Sequence, residues 1–62
     1  MQKVGVLGAD GSIKNLLLVR RVGGVAYVCP PDRRDDVLAG DESSVVGFPG
    51  KDVGEPARKL EL

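Results

Sequence analysis

Asp10-Gly11 and Gly23-Gly24 constrain this chain more than any other feature. Each dipeptide suits the two positive-φ positions of a type I′ turn, which joins antiparallel strands without splaying them. Two such turns predict three strands in a row, and a two-residue turn also sets the register of the strands it joins. In the first hairpin Gly8 is expected to face Ile13, Val6 to face Asn15 and Val4 to face Leu17. In the second, Val22 faces Val25, Arg21 faces Ala26, Arg20 faces Tyr27, Val19 faces Val28 and Leu18 faces Cys29.

Side chains alternate across a strand, so these registers sort the residues into two surfaces. One gathers Val4, Val6, Ile13, Leu17, Val19, Ala26 and Val28 and reads as the core side, with Asn15 and Arg21 as polar exceptions. The other is mixed, and on it Leu7, Leu16 and Leu18 form an apolar patch beside Gly5. Those three leucines are the candidate interface. Leaving Leu16 and Leu18 in water forgoes roughly 1.5–3 kcal/mol each, a large share of the stability of a small domain. Either a helix of the chain or another chain must cover them, and the expected partner is a second copy (a homodimer) or another protein.

Beyond the sheet, Pro30-Pro31-Asp32 breaks the strand pattern, acids follow, and Gly40 closes the segment, which predicts one short helix at about 32–39. Ser44 to Phe48, with Val45 and Val46, reads as a fourth strand ended by Pro49-Gly50. A 3₁₀ turn over 51–53 and a last short strand complete a mainly β fold. Its expected form is a five-stranded small barrel or a curved antiparallel meander. Residues 1–54 make one domain, and 55–62 form a tail that frays or turns helical on a partner.

Composition narrows the function. Nine basic and nine acidic side chains cancel, so the chain lacks the overall positive field that steers proteins onto nucleic acid or anionic membrane. The first 31 residues nevertheless carry Lys3, Lys14, Arg20 and Arg21 against Asp10 alone. Cys29 is the single cysteine, so no disulfide staples a fold that a small secreted domain would normally staple, and a cytoplasmic home is expected. The longest apolar run, Leu16 to Val19, is far too short to span a bilayer. Histidine is absent, which removes the commonest metal ligand and the side chain that titrates near neutrality. No metal or cofactor is expected. Asp35-Asp36 and Asp41-Glu42 are neighbours on polar stretches rather than carboxylates facing across a cleft. The three glycines at 5, 8 and 11 lead into a hairpin rather than a phosphate-binding helix. An enzyme role survives only as a subunit whose site is shared across an oligomer interface.

One polar cluster stands out. Arg20 lies opposite Tyr27 and can stack on it as a cation–π pair, a common stabiliser of hairpins. A functional reading makes Lys14, Arg20 and Arg21 phosphate contacts and Tyr27 a stacking platform, as in a nucleic-acid-binding regulator.

The segment Gly47-Phe48-Pro49-Gly50-Lys51-Asp52-Val53 resembles the closing segment of SH3-like small barrels, where a strand ends in Phe-Pro, a 3₁₀ turn follows and Val opens the last strand. The likeness covers about seven residues and implies a five-stranded barrel. The acidic-aromatic motif and tryptophan of a proline-peptide groove have no counterpart here, so polyproline recognition does not carry over. Val28 to Val46 is similar in outline to the swapped-hairpin antitoxins and transition-state regulators, in which a strand, a proline, a short Arg-bearing helix and Gly-Asp precede another strand. That second likeness implies a DNA-binding regulator, which zero net charge suits poorly. The expectation carried forward is a small non-catalytic protein-interaction or oligomerisation module.

Overall fold

The computed structural model describes residues 1–56 of the 62, so most of the expected tail lies outside the described residues. Five strands form one antiparallel sheet: β1 (Gln2–Leu7), β2 (Ile13–Val22), β3 (Val25–Cys29), β4 (Val46–Pro49) and β5 (Val53–Gly54). Their order is β4-β3-β2-β1-β5. The first four strands are therefore a meander and β5 returns beside β1, but the sheet is not closed into a barrel. Between β3 and β4 a 3₁₀ turn over Pro31–Arg33 runs into α1 (Arg34–Leu38), close to the expected helix. No helix among the described residues is long and apolar enough to cross a membrane.

The second bend is the expected one. Gly23 and Gly24 both have positive φ, 56° and 80°, and Val22, Arg21 and Arg20 face Val25, Ala26 and Tyr27. The first bend is not. Gly11 alone carries positive φ there, at 84°, so Asp10 is not in the conformation a type I′ turn requires. Instead the Gly11 N–H donates to the Gly8 carbonyl at 3.0 Å and the Gly8 N–H donates to the Ser12 carbonyl at 2.8 Å. This is the three-residue loop in which a type I turn is followed by a left-handed glycine. Asp10 Oδ1 closes it by accepting the Ser12 N–H at 3.0 Å and the Ser12 hydroxyl at 2.7 Å. The extra loop residue moves the pairing by one: Leu7 faces Ile13, Val6 faces Lys14 and Val4 faces Leu16, correcting the expected partners Gly8, Asn15 and Leu17.

A second correction lies in β2 itself. The register shifts between Leu18 and Arg20, so Leu18 faces Val28 and Leu17 faces Cys29, and Val19 is the extra residue of a β-bulge. The faces change accordingly. Val4, Val6, Ala26, Val28 and Val53 form one buried cluster, and Leu16, Leu18 and Phe48 pack against it. On the opposite face Leu17 and Cys29 are buried against Val37 of α1, with Val19 and Val45 alongside. Leu17 and Val19 thus leave the expected core face, and Ile13 is 51% exposed. Leu7, 48% exposed, opposes Ile13 on the face away from Leu16 and Leu18. The inferred patch of three leucines does not exist as one surface, and the dimer argued from it loses its basis.

The last part of the chain wraps back. A 3₁₀ turn over Gly50–Asp52 links β4 to β5, and the Gly50 N–H donates to the Gly24 carbonyl at 2.8 Å. Val53 then pairs with Val6, and the Arg21 guanidinium donates to the Val53 carbonyl at 3.3 Å. These contacts hold both edge strands, β4 and β5, to the sheet they flank.

Candidate functional site

β3 ends at Cys29, opposite Leu17, whereas β2 begins at Ile13. Among the described residues β2 therefore pairs with β1 only over Ile13 to Leu16, and no described strand takes the place a longer β3 would fill. Lys14 and Leu16 lie on the same face as Val4 and Val6, because they are their direct cross-strand partners. Phe48 and Val46 of β4 reach that face too, opposite Ala26 and Val28. Between the two pairs runs a trough. It consists of two clefts of about 310 and 230 Å³ that share Lys14, Leu16 and Phe48. The larger extends to Val6 and the Gly8–Ser12 loop, and the smaller to Pro30, Ser44 and Val46.

Apolar side chains make most of this surface, and Lys14 is the one charged residue among the described residues lining the smaller cleft. In the larger cleft Asp10 accompanies it, but the Asp10 carboxylate accepts both hydrogen bonds from Ser12. Those bonds, the hydroxyl's first, hold the Asp10 carboxyl below the usual carboxylate range. Lys14 forms no salt bridge among the described residues. The Ser44 hydroxyl oxygen, buried at the wall of the smaller cleft, has no hydrogen-bond partner among the described residues. Cys29 also borders this cleft, yet its thiol is buried and donates to the Met1 sulfur at 3.8 Å. Burial pushes the thiol pKa up, which keeps it protonated and poorly nucleophilic.

The other residues singled out from sequence are dispersed. Leu16 is half-buried in the trough, Leu18 lies farther along the same face against the core, and Leu7 is on the opposite face. Arg20 and Tyr27 do stack, with the guanidinium carbon 5.2 Å from the ring centroid. Arg20 is also bidentate to Glu42, at 2.8 and 2.7 Å, and this pairing holds the Glu42 carboxyl below its usual range. Arg21 points to the other side, where it binds Val53. Lys14, Arg20, Arg21 and Tyr27 therefore do not converge, and both arginines already serve intramolecular contacts.

Sequence reasoning missed the far wall of the trough, formed by Ser44, Val46 and Phe48, and the Glu42 partner of Arg20. Phe48 could have been suspected, being one of only two aromatic residues in the chain. Nothing in the spacing placed Glu42 beside Arg20, because the contact spans 22 residues and depends on the return path from α1. Among the described residues no three side chains of metal-binding type gather in one place. No protein family matches the chain, and neither the curated proteins nor the solved structures yield a match.

Proposed function

We propose that this chain is a small non-catalytic protein-interaction module that works in the cytoplasm and binds its partner in the trough between β2 and β4. The observation that carries this reading is the apolar surface left where β3 stops short, with Val46 53% exposed at its wall and Leu16 and Phe48 at its centre. A small domain has little core to spare, so apolar residues held open in a concave surface fit a partner better than chance exposure. The lone buried thiol accords with a reducing compartment. We read the architecture as an open relative of the SH3-like barrels: Phe48-Pro49 ends β4, a 3₁₀ turn follows, and Val53 begins β5. Folds of this kind host unrelated activities, so the trough and not the resemblance carries the function.

Site-specific photo-crosslinking in the cells that make the protein tests the reading. A photoreactive residue at Lys14 or Val46 should give a discrete protein adduct, and one at exposed Lys3, outside the trough, should not. Equal adducts at all three positions, or none at the trough positions, would reject the trough as the binding surface. The mass of the adduct also separates a second copy of this chain from a different partner.

A further inference from the structure

Taking the trough as the binding surface, we infer that its occupant is an extended peptide segment in which apolar side chains flank a carboxylate that pairs with Lys14. Geometry points to an extended chain. Lys14 and Leu16 are alternate residues of one strand, and Val46 and Phe48 are alternate residues of another. The two walls thus present side chains at a repeat of about 6.6 Å, twice the rise of a strand residue. An extended peptide repeats its own side chains at that distance and interdigitates with both walls, whereas a helix presents neighbours three and four residues apart.

Charge selects the acid. Lys14 is common to both clefts, and among the described residues it makes no salt bridge and has the already engaged Asp10 as the one acidic residue in the lining. An acidic side chain entering between Leu16 and Phe48 meets the ammonium at the midpoint of the trough, and a basic one is repelled there.

The probes are three labelled heptapeptides, acetylated and amidated, of sequence Thr-Leu-Val-X-Val-Leu-Thr with X as Glu, Gln or Lys, so that leucines flank X on its own face, titrated onto the full chain by fluorescence anisotropy. The Glu peptide should bind about threefold tighter than the Gln peptide and about tenfold tighter than the Lys peptide, as expected for a partly exposed ion pair and its reversal. K14E, at an exposed position that leaves the core intact, should invert that order. Equal binding of the three peptides, or an order unchanged by K14E, refutes the acidic preference. No binding of any peptide, while crosslinks at Lys14 and Val46 persist, refutes the extended-peptide occupant and leaves the interaction reading standing. Loss of the crosslinks as well removes both.

Discussion

Gly11 decides which face of β2 carries the trough, and its replacement by each enantiomer of alanine tests that claim. Its φ of +84° is in the left-handed region, where an L-residue crowds its own Cβ against the backbone. A Cβ built there meets nothing within 4 Å, so neighbouring atoms contribute nothing to the cost. Gly11→Ala should therefore cost about 1–2 kcal/mol, all of it conformational. D-alanine at the same position prefers positive φ and restricts the unfolded chain, so it should stabilise by about 0.4–1 kcal/mol. For a domain of this size each kcal/mol moves the melting temperature by roughly 4–8 °C. A chain of 62 residues is within reach of total synthesis, and thermal and urea denaturation of the three proteins measures both effects. Opposite signs are the expected result. If both alanines destabilise alike, Gly11 is not held at positive φ, and the pairing of Leu16 with Val4 that puts Lys14 and Leu16 in the trough is wrong.

The link between β4 and the central hairpin should be sensitive to a single methyl group. A Cβ at Gly50 would come within 2.9 Å of the Gly24 carbonyl oxygen, backbone against backbone, so Gly50→Ala should cost about 1–3 kcal/mol in urea titrations. At Gly54 the same methyl meets nothing within 4 Å, and Gly54→Ala should stay within about 0.5 kcal/mol; equal losses at the two sites would deny the close approach. Acid should also loosen the loops. Asp10 and Asp41 are lowered by hydrogen bonds from Ser12 and Ser43, and Glu42 by Arg20. A lowered carboxyl contributes stability that is present above its unfolded value, about 4, and is lost as pH falls through the lower folded value. The urea midpoint should therefore hold from neutrality to about pH 5 and fall below about pH 4. The fall should be shallower in the triple variant Asp10→Asn, Asp41→Asn, Glu42→Gln, and parallel curves would contradict the assignment.

Much of this was legible before any coordinates. Gly23-Gly24 is a two-residue turn with positive φ at both positions, a conformation that two glycines adopt without steric cost, and the three pairs nearest it followed directly. The helix after Pro30-Pro31 and the 3₁₀ turn after Pro49 were punctuated by residues whose backbone limits are local. Asp10-Gly11 was ambiguous for a physical reason. The same dipeptide serves a type I′ turn and the longer loop with glycine last, and the two differ by one residue in register. The run from Leu16 to Val19 could not arbitrate, because it has no polar residue to mark a solvent face. Its uniform apolarity has a cause in the fold: Leu16 and Leu18 pack on one face of the sheet, and Leu17 and Val19 are covered from the other by α1 and Val45. The trough was less legible still, since it depends on where β3 stops and how β4 returns.

The bulge at Val19 follows once the loop at Gly11 is known. With that loop and the Gly23-Gly24 turn both in place, an unbroken β2 would put Val4 and Val6 on one face with Val25, Tyr27 and Cys29. Ala26 and Val28 would then face away from them. Yet Val4, Val6, Ala26 and Val28 are among the most buried residues of the chain, at 2%, 3%, 0% and 1% exposure, and they form one cluster. An odd number of extra residues in a strand brings them together, and Val19 of β2 is that residue. The two departures from simple hairpin pairing thus cancel for the outer strands and persist only between them, over Ile13 to Leu18. That is the stretch where Lys14 and Leu16 turn toward Phe48, so the open trough and the bulge have a common origin in the third residue of the first loop.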